Sequence, residues 1–214
     1  MRFVKSVTLA ASFALLVSLG VGVAAAQETG AAEAELVNNE GNQVGTAQFV
    51  EGPDGVEISA EVQGLEPGEK GIHVHETGDI SSSDFESAGD HFNPTDAEHG
   101  LDNPQGPHAG DLENIVVEED GTAAYGTVND RVTLSGGESP LFDEDGSALV
   151  IHTGPDDQQT DPSGESGDRV AAGVIECTEA GTLPDTGGPA LLPVAAALAL
   201  AGAGLLLLRR FVIS

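Results

Sequence analysis

Six histidines carry most of the chemistry open to this sequence: His73, His75, His91, His99, His108 and His152. His73 and His75 stand two apart in the run Gly71-Ile72-His73-Val74-His75-Glu76. Asp111 follows His108 by three residues, and Asp156 follows His152 by four. Imidazole and carboxylate together suit zinc and copper. On an extended strand, residues i and i+2 point to one face, with Cα atoms roughly 6.5 Å apart. Two such imidazoles can reach the same ion. An isolated His-x-His also fits two ordinary strand histidines. The company of the other four weighs against that, because all six lie in two irregular stretches or the strands beside them. Side-chain chemistry alone therefore supports a metal site without giving the number of ions.

The elements that must hold these residues are short strands. Residues 32–39, 43–51, 55–65 and 70–76 alternate apolar and polar side chains or sit between turn residues, the period of a half-buried strand. Asn39-Glu40-Gly41-Asn42, Pro53-Asp54-Gly55 and Pro67-Gly68 supply the turns. Strand-like runs resume at 112–119, 122–130, 131–136, 147–153 and 169–177. Between them lie two irregular stretches, 78–110 and 154–168. Long loops in a compact domain usually carry function. Many short strands without a helical period predict an all-β antiparallel sandwich or barrel.

The two ends read differently from this domain. Residues 1–26 have a basic start, an apolar stretch and Val23-Ala24-Ala25-Ala26, the pattern of a secretory signal peptide; an uncleaved membrane anchor is the other reading. Residues 27–31 read as a spacer and 32–177 as the domain. Residues 178–186 form a tether ending in Leu183-Pro184-Asp185-Thr186, and Gly187 opens a C-terminal apolar segment, 187–214, with Arg209-Arg210 near its end. An apolar stretch of this length can span a membrane, with the arginines on the cytoplasmic side. LPDTG resembles the sorting signal of Gram-positive cell-wall proteins. That resemblance implies cleavage between Thr186 and Gly187 by a sortase and linkage of Thr186 to peptidoglycan. Retention as a membrane helix is the alternative.

Residues 27–186 would carry three basic and 36 acidic residues, a net charge of −33. Nucleic acid is excluded as a natural partner, because phosphate binding needs Lys and Arg. Cys177 is the only cysteine, so no disulfide can form within the chain.

The fragments GIHVHETGD, AGDHFNP, HAGDL, ALVIH and GDRVAAGVI together resemble the copper/zinc superoxide dismutase family, in order and spacing, over roughly residues 32–176. The resemblance implies an eight-stranded antiparallel Greek-key β-barrel of the immunoglobulin-like sandwich type with two long functional loops. It implies that His73, His75, His91 and His152 hold copper. His91, His99, His108 and Asp111 would hold zinc, with His91 bridging the ions. Asp156 would link His73 to His99 from outside the two sets. His91 and Arg169 would be catalytic, the first delivering a proton and the second guiding superoxide in. The implied activity is extracellular superoxide dismutation by copper cycling beside structural zinc, in a monomer or homodimer. A non-catalytic copper- or zinc-binding wall protein on the same barrel is the alternative, and a purely structural wall domain would have no use for seven ligands.

Three departures from the family pattern stand out. Phe85 and Ala172 occupy the positions of the two cysteines that usually form an intrachain disulfide, so an apolar contact is expected in its place. Pro162 stands where some relatives have a channel lysine. Cys177 lies past the last strand as a passive thiol or a site of intermolecular pairing. Exposed charges are screened beyond about 8–10 Å in physiological salt, which leaves copper, zinc and Arg169 to govern the last few ångströms of approach. The rate of superoxide loss on the metal-loaded protein is therefore expected to be less sensitive to added salt than that of a strongly steered enzyme. A steep fall between low and moderate salt would contradict this.

Overall fold

The computed structural model describes residues 30–178. The leader over 1–26, the sorting motif with Thr186 and Gly187, and the apolar segment over 187–214 lie outside the described residues.

Alternation in the sequence becomes the two faces of one curled sheet. In β1 (Ala31–Asn38), Ala32, Ala34 and Leu36 are buried while Glu33 and Glu35 are exposed. In β3 (Gly55–Val62), Val56, Ile58, Ala60 and Val62 point inward and Glu57 and Glu61 outward. Between them β2 (Gln43–Gly52) pairs with both, and its register shifts once opposite Leu36 and Val37. Side chains two apart share a face, so the shift re-phases β2 and lets both Val44 and Phe49 enter the core.

Seven further strands follow: β4 (Gly68–Lys70), β5 (Ile72–His75), β6 (Ile115–Val117), β7 (Ala123–Asn129), β8 (Ala148–His152), β9 (Arg169–Val174) and β10 (Glu176–Cys177). The main sheet has eight antiparallel strands. Seven run in the order β5-β8-β9-β1-β2-β3-β7, and β10 pairs with β1. The non-sequential neighbours are Greek-key crossovers. The separate pair β4–β6 joins the two ends of the sheet, since β4 runs into β5 and β6 turns back at Glu118–Gly121 into β7. This is the all-β barrel expected from the sequence.

The run 70–76 breaks at Gly71, whose N–H donates to Gly154 O and whose carbonyl accepts from His152 N. A Cβ there would come within 2.9 Å of Ser166 and 3.0 Å of the His73 ring. The run 131–136 is not a strand. Val132 and Leu134 are buried, which produces the alternating pattern. Yet Thr133 N donates to Ser139 O, Phe142 N to Leu134 O, and Leu134 N to the Glu51 carboxylate. The segment folds on itself as a plug, and only a single bridge, Thr133 to Pro140, has ladder character.

Strands β5 and β8 are buried along their whole length. Ile72, Val74, Leu149 and Ile151 belong to the barrel core. The opposite face of the same strands is roofed by the loop after β5. There Phe85, Ala88, Ala148, Val150 and Ala172 form a second apolar cluster, with Val37 and Ile80 packed against it. Phe85 and Ala172 thus share one buried apolar cluster, where a disulfide would otherwise be expected. Phe85 holds a left-handed backbone, φ 60°, which is costly for a bulky residue. Burial of its ring, 3% exposed, offsets that cost.

Removing this ring leaves a cavity under the loop. Phe85→Ala is expected to destabilise the protein by roughly 3–5 kcal/mol, read from the urea midpoint. A thiol reductant should leave the wild-type midpoint unchanged, because a single cysteine forms no crosslink within the chain. A loss below about 1 kcal/mol would show that the ring does not pin the loop.

Candidate metal centre

Backbone geometry brings the histidines together before any side chain is considered. His73 and His75 project from the outer face of β5, opposite the core residues Ile72 and Val74. The chain returns twice beside this strand: His91 bridges to His75, and Asp111 bridges to His73. His152 ends β8, the neighbour of β5. His99 and His108 come from the loop between these returns.

The result is two groups sharing one ring. His73, His75, His91 and His152 form one; His91, His99, His108 and Asp111 form the other. In each group the donor atoms lie within 4.8 Å of one another, and all seven residues are buried.

Hydrogen bonds fix which nitrogen faces inward in the first group. His73 Nε2 lies 2.7 Å from Asp156 Oδ2, His75 Nδ1 3.0 Å from Gly89 O, and His152 Nδ1 3.0 Å from Gly167 O. An accepting oxygen takes the ring N–H and so sets the tautomer. The opposite nitrogens, His73 Nδ1, His75 Nε2 and His152 Nε2, together with His91 Nε2, are buried and have no partner. Four orphaned acceptors aimed at one another are costly unless something coordinates them. A cation that accepts imidazole nitrogen fits this need.

The second group converges on one oxygen. Asp111 Oδ1 lies 2.9 Å from His91 Nδ1, 3.0 Å from His99 Nδ1 and 3.4 Å from His108 Nδ1. Its Oδ2 accepts from Gly100 N at 2.8 Å and His108 N at 2.9 Å. Three imidazoles and a carboxylate make a closed donor set suited to zinc. Asp156 joins the two groups, because its Oδ1 lies 3.0 Å from His99 Nε2.

Burial and charge tune these rings in opposite directions. Burial, then repulsion from His91, pushes His73 down to about 3. Burial first, with Arg169 and His91 adding, brings His152 down to about 4. Burial likewise lowers His75 and His91. All four are neutral near pH 7 and present lone pairs. For His99, burial is outweighed by the carboxylates Asp111 and Asp156, which raise it to about 9. The same contacts hold both carboxyls well below their ordinary range, against burial.

Arg169 opens β9, with Nη1 donating to Phe85 O at 2.6 Å and Nη2 to Gly89 O at 2.7 Å. It lines one cleft of about 540 Å³ with His75, His91 and His152. Pro162 lines it too, and the rim carries Glu76, Glu86, Asp90, Asp96 and Asp161. Gly89 O thus serves both the arginine and His75.

Two residues of the site escaped the sequence reading. Asn114 clamps the Asp156 backbone at both ends: Asp156 N donates to Asn114 Oδ1 and Asn114 Nδ2 to Asp156 O, each at 2.9 Å. Gly164, at φ +62°, leaves room for the Asp156 carboxylate, which a Cβ would strike. Neither an asparagine nor a glycine in a loop gives a signal of its own in one sequence.

The shifts predict how the metal-free protein responds to pH. His73, His75, His91 and His152 have folded pKa values below the ordinary 6.5, so the unfolded chain takes up protons first. Their neutral burial favours folding above about 6.5 and is lost as pH falls below it, where the unfolded chain takes up protons that the buried rings do not. His99 has the opposite sign, and its contribution fades as pH rises from 6.5 through about 9. The urea midpoint of the metal-free protein should therefore peak near pH 6.5 and fall on either side. A midpoint flat between pH 4 and 6.5 would contradict the neutral burial.

With this geometry established, known proteins supply a comparison. The family model for copper/zinc superoxide dismutase matches residues 43–175. Superoxide dismutase 2 (Cu-Zn) of Aquifex aeolicus is 48% identical over 146 residues, which covers 67% of this chain and 85% of that protein. Superoxide dismutase-like protein YojM of Bacillus subtilis is 43% identical over 144 residues, covering 66% of this chain and 74% of that one. The crystal structure of a SOD-like protein from Bacillus subtilis aligns with a TM-score of 0.64 at 43% identity, covering 66% of this chain and 96% of that one. Copper and zinc are the metals of that family, and the two donor sets described above suit them. Sequence, barrel and paired histidine groups agree, and the chain belongs to the copper/zinc superoxide dismutase family.

Proposed function

We propose that the protein is an extracellular superoxide dismutase, converting two superoxide anions and two protons into oxygen and hydrogen peroxide. His73, His75, His91 and His152 hold copper in this reading, and His91, His99, His108 and Asp111 hold zinc. Copper, when bound, supplies the one-electron cycling, and zinc is structural. The observation that carries the reading is the set of four buried, unpartnered, neutral imidazole nitrogens, one of them on the ring shared with the second group.

The chain's own groups have distinct tasks. Arg169 is held by two carbonyls at the wall of the cleft. A guanidinium has five N–H donors, so others remain for an anion. His91 Nδ1 stays beside Asp111 Oδ1, which leaves Nε2 as the atom that can carry a proton and release it into the cleft. His75 and His152, each tied through Nδ1 to a carbonyl, hold their rings still. The leader and the LPDTG motif support export and attachment to peptidoglycan by a sortase; membrane retention is the alternative outcome there.

A second reading is a non-catalytic copper- or zinc-binding wall protein. The relative named superoxide dismutase-like keeps this reading in view. Arg169 favours the enzyme, because metal storage has no need of a cation beside copper-type ligands. The test loads the full chain with copper and zinc and measures superoxide loss beside His152→Ala. Activity should fall to background in the variant while zinc content stays the same. Equal activity in both would sink copper catalysis at this site, and inactivity of the fully copper-loaded wild type would favour storage.

A further inference from the structure

Cations are scarce here, and their short contacts are to main-chain carbonyls, the ion pairs of Arg131 with Asp130 and Arg169 with Glu86 being longer, 3.6 and 3.7 Å. Among the described residues, 33 carboxylates face three Lys or Arg side chains. All three donate to main-chain carbonyls close to the centre. Lys70 Nζ reaches Thr153 O, next to His152, at 2.9 Å, and Arg169 holds Phe85 O and Gly89 O. Arg131 Nε donates to His108 O at 3.3 Å, and its Nη2 to Asp111 O at 2.5 Å. Its contact with the exposed Asp130 carboxylate is longer, 3.6 Å.

Asn129 completes the grip. It is 1% exposed, and its Nδ2 donates to Ala109 O at 2.8 Å while its Oδ1 accepts from Arg131 N at 3.0 Å. Two side chains from the end of β7 thus hold the carbonyls of His108, Ala109 and Asp111.

His108 is the ring that most needs this. Each of the other five imidazoles has a hydrogen bond to at least one ring nitrogen. His108 is held most loosely: its Nδ1 makes no hydrogen bond, lying 3.4 Å from Asp111 Oδ1, and its Nε2 is 3.8 Å from the half-exposed Asp161. With no close hydrogen bond to either ring nitrogen, its direction depends on its backbone.

We propose that Arg131 is a positioning residue for the His91–His99–His108–Asp111 group. With Asn129 it clamps the 108–111 turn so that His108 Nδ1 and Asp111 Oδ1 face the other two donors, and it thereby sets the affinity of that group for zinc. The inference rests on the metal-centre reading above. Partners that orient ligands from outside the coordination sphere are commonly worth about 10–100-fold in metal affinity.

The test compares the full chain with Arg131→Gln and Arg131→Lys. Zinc and copper affinities are measured separately by competition with chromophoric chelators, and cobalt placed in the zinc group reports its geometry through its visible spectrum. Arg131→Gln is expected to lose about 10–100-fold in zinc affinity, to alter the cobalt spectrum and to keep its copper affinity. Arg131→Lys keeps the charge without the fork and should fall between. Unchanged zinc affinity and cobalt spectrum in Arg131→Gln would overturn the proposal. So would a parallel loss of zinc and copper binding that tracks a fall in metal-free stability, which marks a general structural role. A wild-type protein that takes zinc at neither group would overturn the metal-centre reading and the proposal together.

Discussion

Two carboxylates buried among six imidazoles are the constraint on which the rest depends. Asp111 collects three ring nitrogens at one oxygen. Asp156 ties a ring of each group with its two oxygens. A buried carboxylate is costly unless its lone pairs are satisfied. Gly100 N and His108 N satisfy Asp111, and Gln158 N serves Asp156 at 2.6 Å. The loops over 78–110 and 154–168 therefore have little freedom. Their backbones are routed to deliver N–H groups and imidazoles to two anionic points, and the strands provide the floor.

Holding those loops without a covalent crosslink needs other means. The Phe85 ring fills the space between the loop and the outer face of β8 and β9. Asn39 Nδ2 adds a polar tie, donating to Ser83 O and Arg169 O. Arg169 links the same loop to the cleft, because Gly89 O also accepts from His75. Arg131 does the corresponding work at the turn carrying His108 and Asp111. Among the described residues, Lys70, Arg131 and Arg169 all donate to main-chain carbonyls.

That arrangement bears on how an anion could be used by an acidic protein. The cleft rim carries five carboxylates against one arginine. Exposed charge is damped over a Debye length of about 8 Å, whereas Arg169 sits inside the wall with its geometry set by two carbonyls. Local field at the floor of the cleft and net charge of the surface are thus separate quantities. Among the described residues the exterior is acidic, and Arg169 is the cation at the cleft.

The amino-acid sequence alone determined the all-β architecture, through the alternation in β1 and β3 and the turn residues between strands. It also determined the donor types and the His73/His75 pair, because side-chain period is a local property of a strand. Only the tertiary structure decided that Val132 and Leu134 alternate inside a plug and not a ladder, since burial without pairing leaves the same pattern. It alone showed which ring nitrogens are tied and which are free, because Asp156, Gly89 and Gly167 reach them across 83, 14 and 15 residues. The clamps at Asn114, Asn129 and Arg131 were equally hidden. A hydrogen bond between a side chain and a distant carbonyl leaves no period, charge pair or motif in the sequence, and it exists only once the chain has folded back on itself.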